Sequence, residues 1–436
     1  MKGAVLDVYV LDTLVGHLVD DFDQYVFTYL HGVPEDYLVS LTMPVRAESY
    51  VWKRGLFPFF MQNLPEGFQK QVIRERLGPH ADVSDWGMLA LTGRMPIGRV
   101  RVVPAGMPLS TNDVHLDMSA VLASEDSQSV LLKHLNDGVL EGISGVMPKA
   151  MHETDKATLW TDDYILKTGT EDIPGLAINE YLCLEVARNA GLDVPKTVLS
   201  EDGKVLAVAR FDRRDGQPVA VEDFCSLSAL DPVHKYKGSI EEITHLHTAY
   251  VSARNRQRSA RQLYRLMLLN YALHNGDAHL KNYALVYTHP DDAVLAPVYD
   301  LVTTSAYPAM DDMPALTLQG RKVWWAGKQM RLLASNRMTL TAAEKDEAQA
   351  AIIAAIDATL PLLGEMAERY PYFRETAKRM AIEWESGKLD IQENARKRLQ
   401  KDKTILEKLK LSDEANPKKA PRSYANPAGG FSHKER

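Results

Sequence analysis

The chain has 436 residues, a formal charge of −7, and 45% apolar against 25% charged side chains. That length is more than one ordinary hydrophobic core serves, so two packed units or one large two-lobed domain are expected, with the composition of a soluble globular protein. The acidic balance excludes nonspecific nucleic-acid binding over the whole surface and leaves only a local basic patch open.

From Met1-Lys2-Gly3-Ala4 the chain runs into alternating residues, with no apolar core or cleavage site of a signal peptide. Leu6, Val8 and Val10 alternate with polar neighbours, and a second strand-like run, Tyr25 to Tyr29, follows the acidic turn Asp20 to Asp23. A helical stretch is predicted around Glu66 to Leu77, then a last apolar run, Val100 to Val103, closed by Pro104. Residues 105–137 read as a connection carrying one short helix. A Gly-containing turn, Glu141 to Lys149, leads into a hairpin with strands 157–160 and 164–167. Ile178, Tyr181, Leu182 and Val186 recur at helical spacing, with Gly191 placed to end that helix. Asp202-Gly203 predicts a second hairpin whose return strand is 205–209. Beyond residue 225 the pattern is mostly helical. Arg261 to His274 is apolar almost all round, as in a buried helix, and the runs 283–287 and 294–299 interrupt the helices. The most apolar helical stretch, 350–367, contains Asp357, Pro361 and Glu365 and is read as no membrane span. Cys183 and Cys225 cannot make a disulfide framework, and no CxxC pair marks a zinc site. A cytoplasmic protein is therefore expected. The expected fold class is α+β, in four parts: a strand-rich N-terminal subdomain (1–105), the rest of an N-lobe (106–224), a helical C-lobe (225–410), and a disordered tail (411–436).

The chemistry lies in Asn275-Gly276-Asp277-Ala278-His279-Leu280-Lys281-Asn282. A buried helix delivers the chain to a turn, and Asp277 and Asn282 follow at the D-x-x-x-x-N spacing of a kinase catalytic loop. Phosphoryl transfer needs a carboxylate near the incoming hydroxyl and a neutral oxygen ligand for magnesium, both on a fixed loop. Asp300, after a short hairpin, supplies the second metal ligand beside Asn282. Upstream, Gly142 to Lys149 offers a phosphate loop containing Ser144 and Gly145, Lys167 a strand lysine, and Glu180 its helix partner. The order loop, lysine, helix, catalytic loop, metal aspartate carries the argument.

Gly142-Ile143-Ser144-Gly145 with Pro148-Lys149, Asn179-Glu180-Tyr181, Arg210-Phe211-Asp212-Arg213, Asp277 to Asn282 and Tyr299-Asp300 resemble the signature segments of the HipA family. Asn63-Leu64-Pro65-Glu66 and Gly93-Arg94 with Gly98 resemble its N-terminal subdomain. The resemblance implies a two-lobed, protein-kinase-like fold that binds ATP and Mg2+ and phosphorylates a protein serine or threonine. It implies a toxin restrained by a small helix-turn-helix antitoxin that binds operator DNA, and a substrate in translation such as an aminoacyl-tRNA synthetase. Residue by residue, it puts the catalytic base at Asp277, metal ligands at Asn282 and Asp300, a phosphate contact at Lys167, and autophosphorylation at Ser144. Glu222-Asp223-Phe224 falls where the family's hinge contacts adenine, making Glu222 and Phe224 candidate nucleotide contacts. The loop departs from the family with Met147 where many relatives have Gln, and it is no G-x-G-x-x-G.

Other readings of the same residues stand beside these. The segment Gly276 to Asn282 also matches the catalytic loop of aminoglycoside and choline kinases, so a small-molecule acceptor is an alternative, as is a catalytically silent corepressor. Arg210, Asp212, Arg213 and Arg214 read as a structural ion-pair cluster, His274 and His279 as catalytic-loop scaffolding. Trp324-Trp325 reads as core or partner contact, and the basic stretch 388–410 as a solvated amphipathic helix.

Overall fold

A computed structural model of the chain describes residues 4–66, 70, 73, 82–94, 96–109, 117–140, 156–161, 163–169, 173–310 and 312–392. The expected helix 66–77 falls almost wholly outside these, as do the 141–149 loop with Ser144 and Gly145, and the chain beyond 392. Strands β1 (Val5–Val10), β2 (Thr13–Asp21), β3 (Gln24–Tyr29), β4 (Tyr50–Trp52) and β5 (Val100–Pro104) form an antiparallel sheet in the order β4-β3-β2-β1-β5. Its inner face, including Leu6, Val8, Leu18 and Phe27, packs with α1 (Pro58–Met61) and α2 (Asp85–Thr92) into a core of its own. β2 escapes sequence reading because Gly16, His17 and Asp20 break its apolar pattern. Gly16 is nevertheless what lets the strands close, since a Cβ there would meet the Thr28 carbonyl at 2.5 Å.

The connection that follows holds two helices, α3 (Met118–Leu122) and α4 (Ser127–Leu140), where one was expected. A second antiparallel sheet, ordered β6-β7-β9-β8, contains β6 (Lys156–Trp160), β7 (Tyr164–Gly169), β8 (Thr197–Leu199) and β9 (Val205–Ala209), with α5 (Leu176–Asn189) between β7 and β8. Gly191, at φ 75°, follows the end of α5 as its spacing predicts. A short ribbon, β10 (Arg213–Arg214) with β11 (Gln217–Pro218), precedes β12 (Ala220–Asp223). β12 pairs with β13 (Ala284–Tyr287), and β13 with β14 (Val294–Leu295). The strand-like run 294–299 is thus shorter as a strand than expected, because Pro297 has no N–H to give a ladder.

The helical lobe comprises α6 (Phe224–Leu227), α7 (Ile240–Tyr250), α8 (Arg256–Ala272), α9 (Gly327–Arg337), α10 (Ala342–Arg369) and α11 (Arg374–Asp390). Its core also takes in α5 of the upper lobe. A capping box starts α10: Thr341 Oγ1 accepts from the Glu344 N–H, and the Glu344 carboxylate accepts from the Thr341 N–H at 2.8 Å. The helix has the length and mean hydropathy (1.5) of a membrane span. However, Ile352, Ile356, Thr359 and Leu363 are buried in the lobe, where α10 packs on α5, α8 and α11. The fold is α+β and two-lobed, with the strand-rich unit clasped to its side.

Polar contacts make that clasp. Arg99 donates to the carbonyls of Thr288 (2.7 Å), Asp36 (2.9 Å) and Leu38 (3.2 Å). The Asp212 carboxylate accepts from the Gly98 N–H at 2.8 Å and takes both Nε (2.9 Å) and Nη2 (2.6 Å) of Arg210. Arg210 in turn donates to the Pro96 carbonyl at 2.9 Å. Both side chains of this pair are 2% exposed, so the ion-pair reading of the sequence holds and the charges depend on each other. Arg210→Leu alone should cost about 3–5 kcal/mol in urea unfolding, because it leaves the Asp212 charge buried and uncompensated. Arg210→Leu combined with Asp212→Leu should recover part of that loss.

Candidate active site

Between the lobes lies an open cleft lined by residues of both. Lys167 reaches it by strand alternation: Leu166 and Thr168 of β7 point into the sheet's buried side, and Lys167 points the other way. Its ammonium is 2.5 Å from Oε1 of Glu180, which α5 presents 4% exposed, and it also contacts Oδ1 of Asp300. Burial alone would lower the Lys167 pKa, but the Asp300 and Glu180 carboxylates outweigh it and hold it above its ordinary range. Asp300 sits at φ 52°, an uncommon conformation for a residue with a side chain, directly after Tyr299. The Tyr299 hydroxyl donates to the Lys281 carbonyl at 2.7 Å, and its ring stacks on Phe211 with centroids 5.3 Å apart.

Asp277 and Asn282 lie on the turn between α8 and β13. The Asp277 N–H donates to Asn275 Oδ1 (3.1 Å), whose amide donates to Asn270 Oδ1 (2.8 Å) at the end of the buried helix. The Gly276 N–H donates to Thr304 Oγ1 at 2.7 Å. Asn282 Nδ2 donates to the Asp277 carbonyl at 2.7 Å, which fixes the amide and leaves Oδ1 as its remaining acceptor. His279 lines the cleft 2% exposed. Among the described residues neither of its ring nitrogens makes a hydrogen bond, and burial pushes its imidazole down to about 4.

The cleft also holds residues that sequence reading missed. Glu66, from the N-terminal unit, is 2.9 Å from Lys235 and 3.2 Å from Lys281. Lys281 is also 3.1 Å from Asp223 and donates to the Gln62 carbonyl at 2.7 Å. Glu66 belongs to the Asn63-Leu64-Pro65-Glu66 segment already singled out, but nothing local to that segment signals that it faces the catalytic loop. Four carboxylates and three ammonium groups, Glu66, Glu180, Asp223, Asp300, Lys167, Lys235 and Lys281, thus line one cleft.

The side chains of Glu222 and Phe224, expected as nucleotide contacts, do not line the cleft. Strand alternation in β12 turns Glu222 away from the cleft while Val221 and Asp223 line it, and Phe224 is the first residue of α6. The Glu222 carboxylate accepts from the Leu41 N–H (2.6 Å), the Ser40 hydroxyl (3.0 Å) and the Tyr287 hydroxyl, tying the N-terminal unit to β12. Burial raises it to about 7 against these donors. Phe224 is fully buried in the helical core. A neighbouring pocket bordered by Phe59, Leu89 and Val100 contains none of the cleft's carboxylates or lysines.

A two-lobed fold, with a lysine–glutamate pair above and an aspartate–asparagine turn below one cleft, defines a kinase-like class of protein. The chain belongs to the HipA family: the HipA N-terminal domain matches residues 6–103 and the HipA-like C-terminal domain matches residues 142–361. Among curated relatives, "Putative kinase Y4dM" of Sinorhizobium fredii is 25% identical over 358 residues, covering 77% of this chain and 78% of that protein. "Putative kinase Y4mE" of the same organism is 28% identical over 313 residues, covering 65% and 72%. HipA of Shewanella oneidensis MR-1, solved with HipB and its operator DNA, superposes with a TM-score of 0.67 at 18% identity over 92% of this chain and 99% of its own, a likeness of fold.

Behind the site, His274 (φ 50°) starts the turn that carries Asp277 from a fully buried position. Its Nδ1 is 2.7 Å from Glu383 and its Nε2 2.9 Å from Asp390, both on α11, and its ring stacks on Trp324. Burial lowers an imidazole, but bonds to Asp390 and Glu383 outweigh that here and hold His274 above its ordinary value. The charged pairing therefore contributes full stability below about pH 6.5. It is lost as pH rises through the folded-state pKa, because there the folded state binds the extra proton. Thermal unfolding of the wild type should therefore show Tm falling as pH is raised above neutrality. His274→Asn, which tolerates positive φ, should flatten that slope and lower Tm below pH 6.5; an unchanged slope would contradict the assignment.

Proposed function

We propose that this protein is an ATP- and magnesium-dependent serine/threonine protein kinase acting as the toxin of a HipA–HipB-like toxin–antitoxin module. The observation that carries the reading is the Lys167 ammonium between Glu180 and Asp300, in the same cleft as Asn282 and beside the Asp277 turn. Lys167 would hold nucleotide phosphates. The donor set suits magnesium: Asn282 offers one neutral oxygen and Asp300 an anionic one. Among the described residues no group of three or more His, Cys, Asp or Glu side chains converges as a ready-made metal site. Magnesium accepts that arrangement, because it takes few protein ligands and completes its shell with phosphate oxygens and water. Bound there, the ion would neutralise phosphate charge in a cleft that already carries more carboxylates than ammonium groups.

Asp277 would accept a hydrogen bond from the incoming serine or threonine hydroxyl and take its proton. The hydroxyl oxygen forms the new bond to the γ-phosphorus as the bond to the β,γ-bridging oxygen breaks, and ADP leaves with that electron pair. The partner in this reading is a small helix-turn-helix antitoxin that carries the DNA contact, supported by the HipB and operator DNA solved with the Shewanella oneidensis HipA. The acceptor would be a translation protein such as an aminoacyl-tRNA synthetase. Ser144, with Gly145 in the 141–149 loop, would be a self-phosphorylation site, and the reaction would take place in the cytoplasm.

Intact-mass spectrometry of full-length protein incubated with magnesium-ATP tests the chemistry. The expected result is one added phosphate at Ser144 in wild type. In Asp277→Ala its rate should fall by about 10²–10⁴ with the unfolding temperature unchanged. Wild-type rates in Asp277→Ala would remove Asp277 from its role.

A further inference from the structure

We propose that Tyr236 is a positioning residue for phosphoryl transfer, aligning the Asp277 carboxylate for the acceptor hydroxyl, and that Lys235 to Gly238 form a cradle for the catalytic turn. This rests on reading Asp277 as the base. The bonds within the turn fix the Asp277 backbone: its N–H is held by Asn275, and its carbonyl receives the Asn282 amide. The carboxylate Oδ1 lies 3.8 Å from His279 Nε2 within the turn and is hydrogen-bonded from outside it. The Tyr236 hydroxyl donates to Asp277 Oδ1 at 2.6 Å, from a residue 41 positions earlier in the chain. A carboxylate that rotates freely about its terminal torsion spends only part of its time aimed at an acceptor. A short phenolic hydrogen bond to one oxygen fixes that torsion.

Three further contacts hold Tyr236 in place, so its bond to Asp277 belongs to the architecture of the site. The Lys235 carbonyl accepts from the Leu280 N–H at 3.1 Å, joining the two segments by their backbones. Lys235 Nζ reaches Glu66 at 2.9 Å, which anchors the cradle to the N-terminal unit. The Tyr236 ring stands edge-on to the His279 ring, centroids 5.0 Å apart at 84°. At the far end, Gly238 makes room for Leu280, whose side chain would lie 3.0 Å from a Cβ at that position. One short segment thus touches three residues of the turn, Asp277, His279 and Leu280.

Tyr236→Phe removes only the hydroxyl, and magnesium-dependent ADP formation by the full chain reads transfer to any hydroxyl or to water. The expected result is a maximal rate lowered about 10- to 100-fold, within what a general base supplies, with half-saturating ATP unchanged. In an Asp277→Asn background, Tyr236→Phe should give no further loss, because the tyrosine acts through that carboxylate. An unchanged rate, a parallel loss of ATP affinity, or an equal further loss in the Asp277→Asn background would overturn the proposal while leaving the kinase reading standing. Wild-type turnover independent of Asp277 would instead fell the kinase reading and this proposal together.

Discussion

The site is organised around one ammonium group held between two carboxylates from different parts of the chain. Lys167 comes from the upper sheet, Glu180 from the helix behind it, and Asp300 from the segment after the catalytic turn. A buried lysine survives as a charge only when its desolvation is offset, and here two anions do so. The arrangement has a direction. In the proposed reading Asp300 would face the metal and Glu180 would keep Lys167 aimed, so that a triphosphate with its cation would enter between Lys167 and Asp300. The left-handed backbone at Asp300 is consistent with strain kept where chemistry requires a fixed carboxylate.

The N-terminal unit takes part in this site. Glu66 bridges Lys235 and Lys281, Gln62 presents its carbonyl to Lys281, and Glu222 ties the unit to the strand bordering the cleft. The unit thus shares with Asp223 the pairing of Lys281, next to Asn282.

What the sequence made legible is local. Asp277, Asn282 and their turn were readable because a buried helix, a glycine turn and a short hairpin follow one another in sequence. Lys167 and Glu180 were readable as strand and helix positions. Glu66 and Tyr236 were not, since each meets its partner across the fold: Glu66 lies 169 positions from Lys235 and Tyr236 lies 41 from Asp277. The directions of the Glu222 and Phe224 side chains were not legible either: strand parity turns Glu222 of β12 to Ser40 and Leu41, and Phe224 begins the buried helix that follows. β2 was hidden by its glycine and polar residues, and its place between two strands overrides that weak local preference.

The most direct measurement is calorimetric titration of full-length, unphosphorylated protein with a non-hydrolysable ATP analogue, with and without magnesium, in wild type and in Asp300→Asn. Binding is expected to depend on magnesium in the wild type and to lose that dependence in Asp300→Asn. Equal affinity with and without the metal in the wild type would contradict a cleft built from Lys167, Asn282 and Asp300 to hold a metal-bound triphosphate.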